Sequence, residues 1–152
     1  MIYILVALKS EAQAFVERFK LGIDKQNDKL SVVISGMGSE NMFKATSEVV
    51  AKMKPEDTII NVGICGADKK YSIGQLFDAN DINLTCVDHE VSDNTYEVVD
   101  MESKGFIEAT KSVQNKRVFK VVSDHFEPKS VTKDMAKKLI FEKIDEIMEK
   151  VS

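Results

Sequence analysis

Three carboxylates, Glu11, Glu102 and Asp124, are the residues of this chain whose types and settings best suit chemistry. Two carboxyl groups held in different surroundings can divide acid and base work, one kept protonated by burial and the other ionised by hydrogen bonds. Glu102 falls in the first turn of a helix, where free N–H groups and the macrodipole favour its ionised form, so it is built to accept hydrogen bonds. Asp124, flanked by Ser123 and an apolar strand, is the better proton donor, and Glu11 can orient a water. Each has a plainer reading as well: an acidic residue at a helix start ordinarily serves the helix terminus, and a loop Asp ordinarily caps a turn. Cys65 and Cys86 are too far apart for a Cys-x-x-Cys motif, and His89 and His125 are too few to complete a zinc cage. Reduced thiols, a cytoplasmic setting and no metal or other cofactor are therefore expected.

The elements that must position these residues are legible in the period of the apolar side chains, which changes back and forth along the chain. Met1 to Leu8 is a continuous apolar run, as for a strand buried on both faces. Ser10 can cap a helix in which Ala12, Phe15, Val16 and Phe19 share a stripe, with Gly22 closing it. Leu30 to Ser35 reads as a second strand, and Ser39 can cap a helix that keeps its spacing from Met42 to Met53 until Pro55. Asp57 to Val62 reads as a third strand running into a tight turn at Gly63-Ile64-Cys65-Gly66. Strands are also predicted at Ile73 to Phe77, Ile82 to Val87, Tyr96 to Val99 and Arg117 to Val122, with a polar loop from Asp88 to Asn94. A helix from about Met101 to Val113 and a long terminal helix capped by Thr132 complete the pattern.

Such alternation predicts a three-layer αβα fold around a mostly parallel central sheet. Ligands in these sheets gather at the carboxyl ends of the strands. One rim should therefore carry Glu11, Gly36, Gly38, Gly63, Gly66, Asp88, His89, Glu102 and Asp124. With 152 residues, 21 Lys+Arg against 25 Asp+Glu and 43% apolar residues, the chain has the profile of one ordinary globular domain over residues 1–152. A disordered tail, a collagen-like repeat and a disulfide scaffold are excluded, and a net charge of -4 argues against a general nucleic-acid binder. No stretch is long and apolar enough to span a bilayer, and the first residues carry no secretory-signal pattern.

In order along the chain, Ala7-Leu8-Lys9-Ser10-Glu11, Ser35-Gly36-Met37-Gly38, Asn61-Val62-Gly63-Ile64-Cys65-Gly66, Val99-Asp100-Met101-Glu102 and Val122-Ser123-Asp124 resemble the nucleoside phosphorylase and nucleosidase superfamily. The nearest-looking branch is the methylthioadenosine/S-adenosylhomocysteine nucleosidases, and the resemblance runs from Met1 to the terminal helix. It implies cleavage of an N-ribosyl bond in a purine nucleoside or 5′-thio nucleoside. Glu11 falls where the nucleosidases place the carboxylate that activates water, Met101 and Glu102 where a Met-Glu pair holds the ribose, and Asp124 where an acid protonates the purine. Gly36, Gly38, Gly63, Ile64 and His89 are the remaining candidate substrate contacts. A homodimer is expected, because family members are commonly dimers or hexamers with active sites near subunit contacts and a shortened middle should expose sheet edge or core surface for a partner to cover.

The departures carry information too. Family members are longer, with the shortfall between Phe77 and Ile82, and no aromatic platform for the base is evident between Asn83 and Ser92, where His89 is the only ring. Ile64 and Gln75 stand where relatives often have a small polar residue and an Asp. The phosphorylase branch uses arginines at its phosphate site, whereas Arg18 and Arg117 both lie away from strand carboxyl ends, which favours hydrolysis. A phosphate cradled by the Gly36-Met37-Gly38 N–H groups at a helix start is the phosphorolytic alternative. A shortened homologue that binds nucleoside, or serves assembly, without turnover is the other.

Overall fold

The computed structural model describes residues 1–93 and 95–152. In chain order the elements are β1 (Ile2–Val6), α1 (Lys9–Phe19), β2 (Leu30–Ile34), α2 (Ser39–Val50), β3 (Thr58–Ala67), β4 (Leu76–Asp78), β5 (Leu84–Cys86), β6 (Val98–Asp100), α3 (Ser103–Ala109), β7 (Lys116–Asp124), α4 (Lys133–Phe141) and α5 (Ile144–Val151). Seven strands form one mixed sheet, and the strand alternation read from the apolar periods is present throughout. The polar loop expected at Asp88 to Asn94 ends on Asn94, which lies outside the described residues.

The long strand β3 organises the sheet. Its first half pairs in parallel with β1, Ile2 to Leu5 facing Thr58 to Asn61, and β1 pairs in parallel with β2. Along the other edge β3 runs parallel to β7, which in turn pairs antiparallel with β4. The far end of β3 pairs antiparallel with β6 through Gly66 and Ala67, and β6 with the parallel β5. Since β7 already occupies one edge of β3, β1 and β6 share the other and run toward each other. Their carboxyl ends meet beside the middle of β3, which is where the candidate site side chains gather.

Alternating side chains of the central strands face two helical layers. Ile4, Val6, Ile60, Val62, Phe119 and Val121 pack on one side against Ala12 and Phe15 of α1 and against Ile140, Ile144 and Ile147 of the terminal helices. On the other side Leu5, Ile59 and Val118 pack against Met42 and Val49 of α2 and Phe106 of α3. The expected three-layer αβα arrangement with a mostly parallel sheet is therefore the observed one.

Several local expectations are corrected. The turn read at Gly63-Ile64-Cys65-Gly66 is absent: β3 continues through it to Ala67, and the two glycines serve close side-chain approach rather than a reversal. Helix α1 is closed by Lys20 in the left-handed conformation (φ 53°), two residues before Gly22, and its N-cap is Leu8, with Ser10 already helical. Ser39 likewise is the first helical residue of α2, because Gly38 before it takes the φ of +94° that suits glycine. Thr132 does cap α4, accepting from the Met135 N–H at 3.1 Å. The long terminal helix is interrupted between Phe141 and Ile144, yet the stripe of Ile140, Ile144 and Ile147 stays fully buried across the break. Between β4 and β5 the chain makes a single 3-10 turn, Ala79–Asp81.

Candidate active site

Glu11 is the third residue of α1 and only 2% exposed. One carboxylate oxygen, Oε1, accepts from the N–H groups of Ala7 and Leu8 at 3.1 and 2.9 Å, so the side chain caps its own helix in place of a hydroxyl. The other, Oε2, accepts from the N–H of Ile64 on β3 at 2.9 Å. Burial raises its pKa from 4.5 to about 7, while Lys120 and the N–H groups of Ile64 and Leu8 work the other way. A carboxyl poised near neutrality changes charge at the working pH of a general base.

A buried cation lies behind it. Lys120, on β7, is 1% exposed and sits in register with Gly63 on β3. A Cβ at Gly63 would lie 3.2 Å from both the Lys120 Nζ and the Glu11 Oε2, so its absence is what lets both groups occupy the same small space. Across this gap Lys120 reaches Asp100, the last residue of β6, with Nζ 2.9 Å from Oδ2. Asp100 also caps α3, accepting from the Ser103 N–H at 2.8 Å and the Ser103 hydroxyl at 2.6 Å. Burial opposes the charge on Asp100, but Lys120 and Ser103 outweigh it and hold the carboxyl below its usual range. Burial likewise opposes the charge on Lys120, and Asp100 and Glu102 outweigh it.

Glu102 differs from its expected setting. It is the N-cap of α3 rather than a first-turn residue, and it accepts from the Gly38 N–H at the start of α2 (2.8 Å). Burial pushes it above the ordinary carboxylate range, with Lys120 and the Gly38 N–H pulling it back. The carboxylate of this segment that caps α3 and pairs with the lysine is Asp100, not Glu102.

Asp124 ends β7 at an irregularity of the sheet. Cys65 pairs with Val122 and Gly66 with Asp124, so Ser123 is an extra residue and the ladder bulges. Such a bulge re-aims the side chains that follow it. Asp124 then accepts from the Ser123 hydroxyl at 2.7 Å and from the Glu127 N–H at 2.8 Å. Gly66 keeps the adjacent space open, since a Cβ there would stand 3.5 Å from Asp124 Oδ2 and 3.3 Å from Val99. Glu11, Glu102 and Asp124 all line one cleft of about 240 Å³, together with Ile64, Met101 and His89. Met37, Val87, Val91 and Val99 give it apolar walls, and Val131 to Lys133 border it from the start of α4.

No family model and no curated protein matches the sequence. The fold, however, has many solved relatives. A 5′-methylthioadenosine/S-adenosylhomocysteine nucleosidase from Helicobacter pylori, crystallised with butyl-thio-DADMe-Immucillin-A, superposes with a TM-score of 0.76 at 15% identity, covering 98% of this chain and 97% of that one. The enzyme of the same description from Campylobacter jejuni gives 0.76 at 14% identity, with 97% and 96% covered. The futalosine hydrolase of Helicobacter pylori gives 0.70 at 16% identity, with 95% and 97% covered. The chain has the nucleosidase fold.

Within this nucleosidase fold the predicted site residues divide in two. Glu11, Ile64, His89, Met101, Glu102 and Asp124 line the cleft, whereas Gly36, Gly38 and Gly63 lie outside its wall and serve the residues that do. Gly38 gives its N–H to Glu102, Gly36 gives its own to the Ala7 carbonyl at 3.1 Å, and Gly63 makes room for Lys120. Two of the three N–H groups expected to cradle a phosphate are thus already engaged. His89 stands at the exposed mouth, its Nδ1 2.7 Å from Asp88. Two buried charged residues of the candidate site were missed from the sequence, Asp100 and Lys120. Asp100 had a signal in its place immediately before Met101-Glu102. Lys120 had only a faint one, a lysine between Val118 and Val122 on one strand face, within a run that is apolar on both faces.

Proposed function

We propose that this chain hydrolyses the N-ribosyl bond of a purine nucleoside or 5′-thio nucleoside, in the cytoplasm and as a homodimer, with residues 1–152 acting as one unit. The observation that carries the reading is the convergence of Glu11, Glu102 and Asp124 on one cleft, with Glu11 poised near neutrality. In the reaction the ribose C1′–N bond breaks as the bond from water oxygen to C1′ forms. Glu11 takes the proton of the attacking water, Asp124 gives a proton to the departing purine nitrogen, and the two exchange protons with solvent between turnovers. Because the sugar passes through an oxocarbenium-like state, leaving-group protonation and a positioned water lower the same barrier. Glu102 and Met101 hold the ribose, and Val87, Val91 and Val99 with the His89 ring bed the base on mostly aliphatic surface.

Water is favoured over phosphate as the nucleophile by the charges around the cleft. Glu11, Glu90, Asp100, Glu102 and Asp124 border it, with Lys133 as its cation among the described lining residues. Both arginines are engaged elsewhere, Arg18 with Asp145 at 2.8 Å and Arg117 with Asp78 at 2.9 Å. The test is to incubate the purified protein with purine nucleosides, 5′-methylthioadenosine and S-adenosylhomocysteine, with and without phosphate, and to follow free base by chromatography. Base release independent of phosphate is expected, and Asp124→Asn should lower kcat by about 100-fold or more while still binding nucleoside. Release only with phosphate makes it a phosphorylase. Silence across the panel, with a nucleoside-induced rise in Tm, leaves a binding protein.

A further inference from the structure

We propose that Lys120 is a positioning residue for Glu11: reaching across β3 at Gly63, it anchors on Asp100 and supplies the buried positive charge against which Glu11 ionises to activate water. This rests on the hydrolytic reading of the site. The geometry is specific. Lys120 lies opposite Gly63 in the parallel β3–β7 ladder, and its Nζ and the Glu11 Oε2 are each 3.2 Å from the point where a Gly63 side chain would begin. Asp100 fixes the ammonium from the other side at 2.9 Å, and Asp100 is itself fixed by Ser103. Lys120 is absent from the cleft wall, so its influence on a ligand passes through the carboxylates it faces.

The electrical surroundings of Glu11 make the lysine decisive. Glu102 faces it from the start of α3, and Lys120 stands between it and Asp100 at the end of β6. Asp124 from β7, Glu90 and His89 from the segment after β5, and Lys133 from α4 border the same cleft. Acidic groups outnumber cations here, and Lys133 is exposed to solvent that screens it. Lys120 is the one wholly buried cation among the described residues. Without it no buried positive charge would offset the ionisation of Glu11 among these acidic groups, and its charged form would be strongly disfavoured.

The test follows the Glu11 side-chain carbon by 13C NMR across a pH titration, alongside the pH profile of kcat/KM for base release from 5′-methylthioadenosine. The variants are Lys120→Arg, Lys120→Met and the pair Asp100→Asn/Lys120→Met, the last removing both partners so that no orphaned charge threatens the fold. In the Met variants the Glu11 midpoint is expected to rise by about one pH unit or more, which lowers its ionised fraction and kcat/KM near neutrality by about fivefold or more. The rising limb of the profile should move with it, and Lys120→Arg should restore both. A wild-type midpoint in the folded double variant overturns the proposal. No base release by the wild type from any nucleoside, with the midpoint still shifted, defeats the hydrolytic reading and the water-activating role with it, while the coupling of Lys120 to Glu11 stands.

Discussion

Glu11 combines a structural duty with the chemical one proposed for it, and the two leave opposite marks on stability. Its three backbone hydrogen bonds tie the end of β1, the start of α1 and the middle of β3 together. Its burial nevertheless favours the protonated form, with a folded pKa of about 7 against an ordinary 4.5. A raised folded value means that the folded chain holds the proton more tightly than the unfolded one. The resulting stability is fully present below the unfolded pKa and is lost as pH rises through the folded value, by up to about 3 kcal/mol. Urea unfolding of the wild type should therefore show this loss between about pH 5 and about pH 7. Glu11→Gln should lower stability by about 1–3 kcal/mol, because its amide sets an N–H against a backbone N–H. It should also abolish the extra pH slope. Parallel slopes in the two proteins over that window would mean that Glu11 is not the group responsible.

At the scale of elements, the crossing of α2 and α3 decides where Glu102 stands. A Cβ on Gly105 would lie 2.0 Å from the Ser39 carbonyl oxygen and 2.9 Å from the Phe43 N, both backbone atoms that cannot rotate away. Gly105→Ala must push the helices apart, at a cost of about 3 kcal/mol and a fall in Tm of about 6–12 °C. The same movement draws the Gly38 N–H from Glu102, so nucleoside affinity should fall as well; a thermal melt within 2 °C or so of wild type would show that the crossing is looser than its geometry. These contacts also mark the limit of what the sequence discloses. Strand and helix periods are local, so the layers and the central strands could be read directly, and Glu11, Glu102 and Asp124 followed from their places after strands. Gly63 and Gly66 were misread as a turn because a glycine needed for side-chain room looks the same as one needed for backbone freedom. The reason for Gly63 is Lys120, 57 residues later, and no local pattern joins them.

On the scale of the whole molecule, the proposed homodimer has a natural face. Phe43 on α2 and Ile107 on α3 are 44% and 49% exposed, on the helix pair that Gly105 locks together, and Met37 just before α2 is 53% exposed. Met37 also lines the cleft, so a partner seated on this face would complete the site's outer wall. A two-fold axis through the face would make it self-complementary, each copy offering the same side chains to the other. A stable interface needs roughly 800 Å² from each partner, which the neighbouring surface of both helices would have to supply around these three residues. Light scattering at micromolar concentration should give twice the chain mass, and Phe43→Glu/Ile107→Glu should give the chain mass with the fold intact. That monomer should retain Glu11, Glu102 and Asp124 in place yet bind nucleoside more weakly, since Met37 would lose the cover of a neighbour. A wild type that is monomeric, or a charged variant that still pairs, would move the interface elsewhere and leave the cleft to be closed by the chain's own α4.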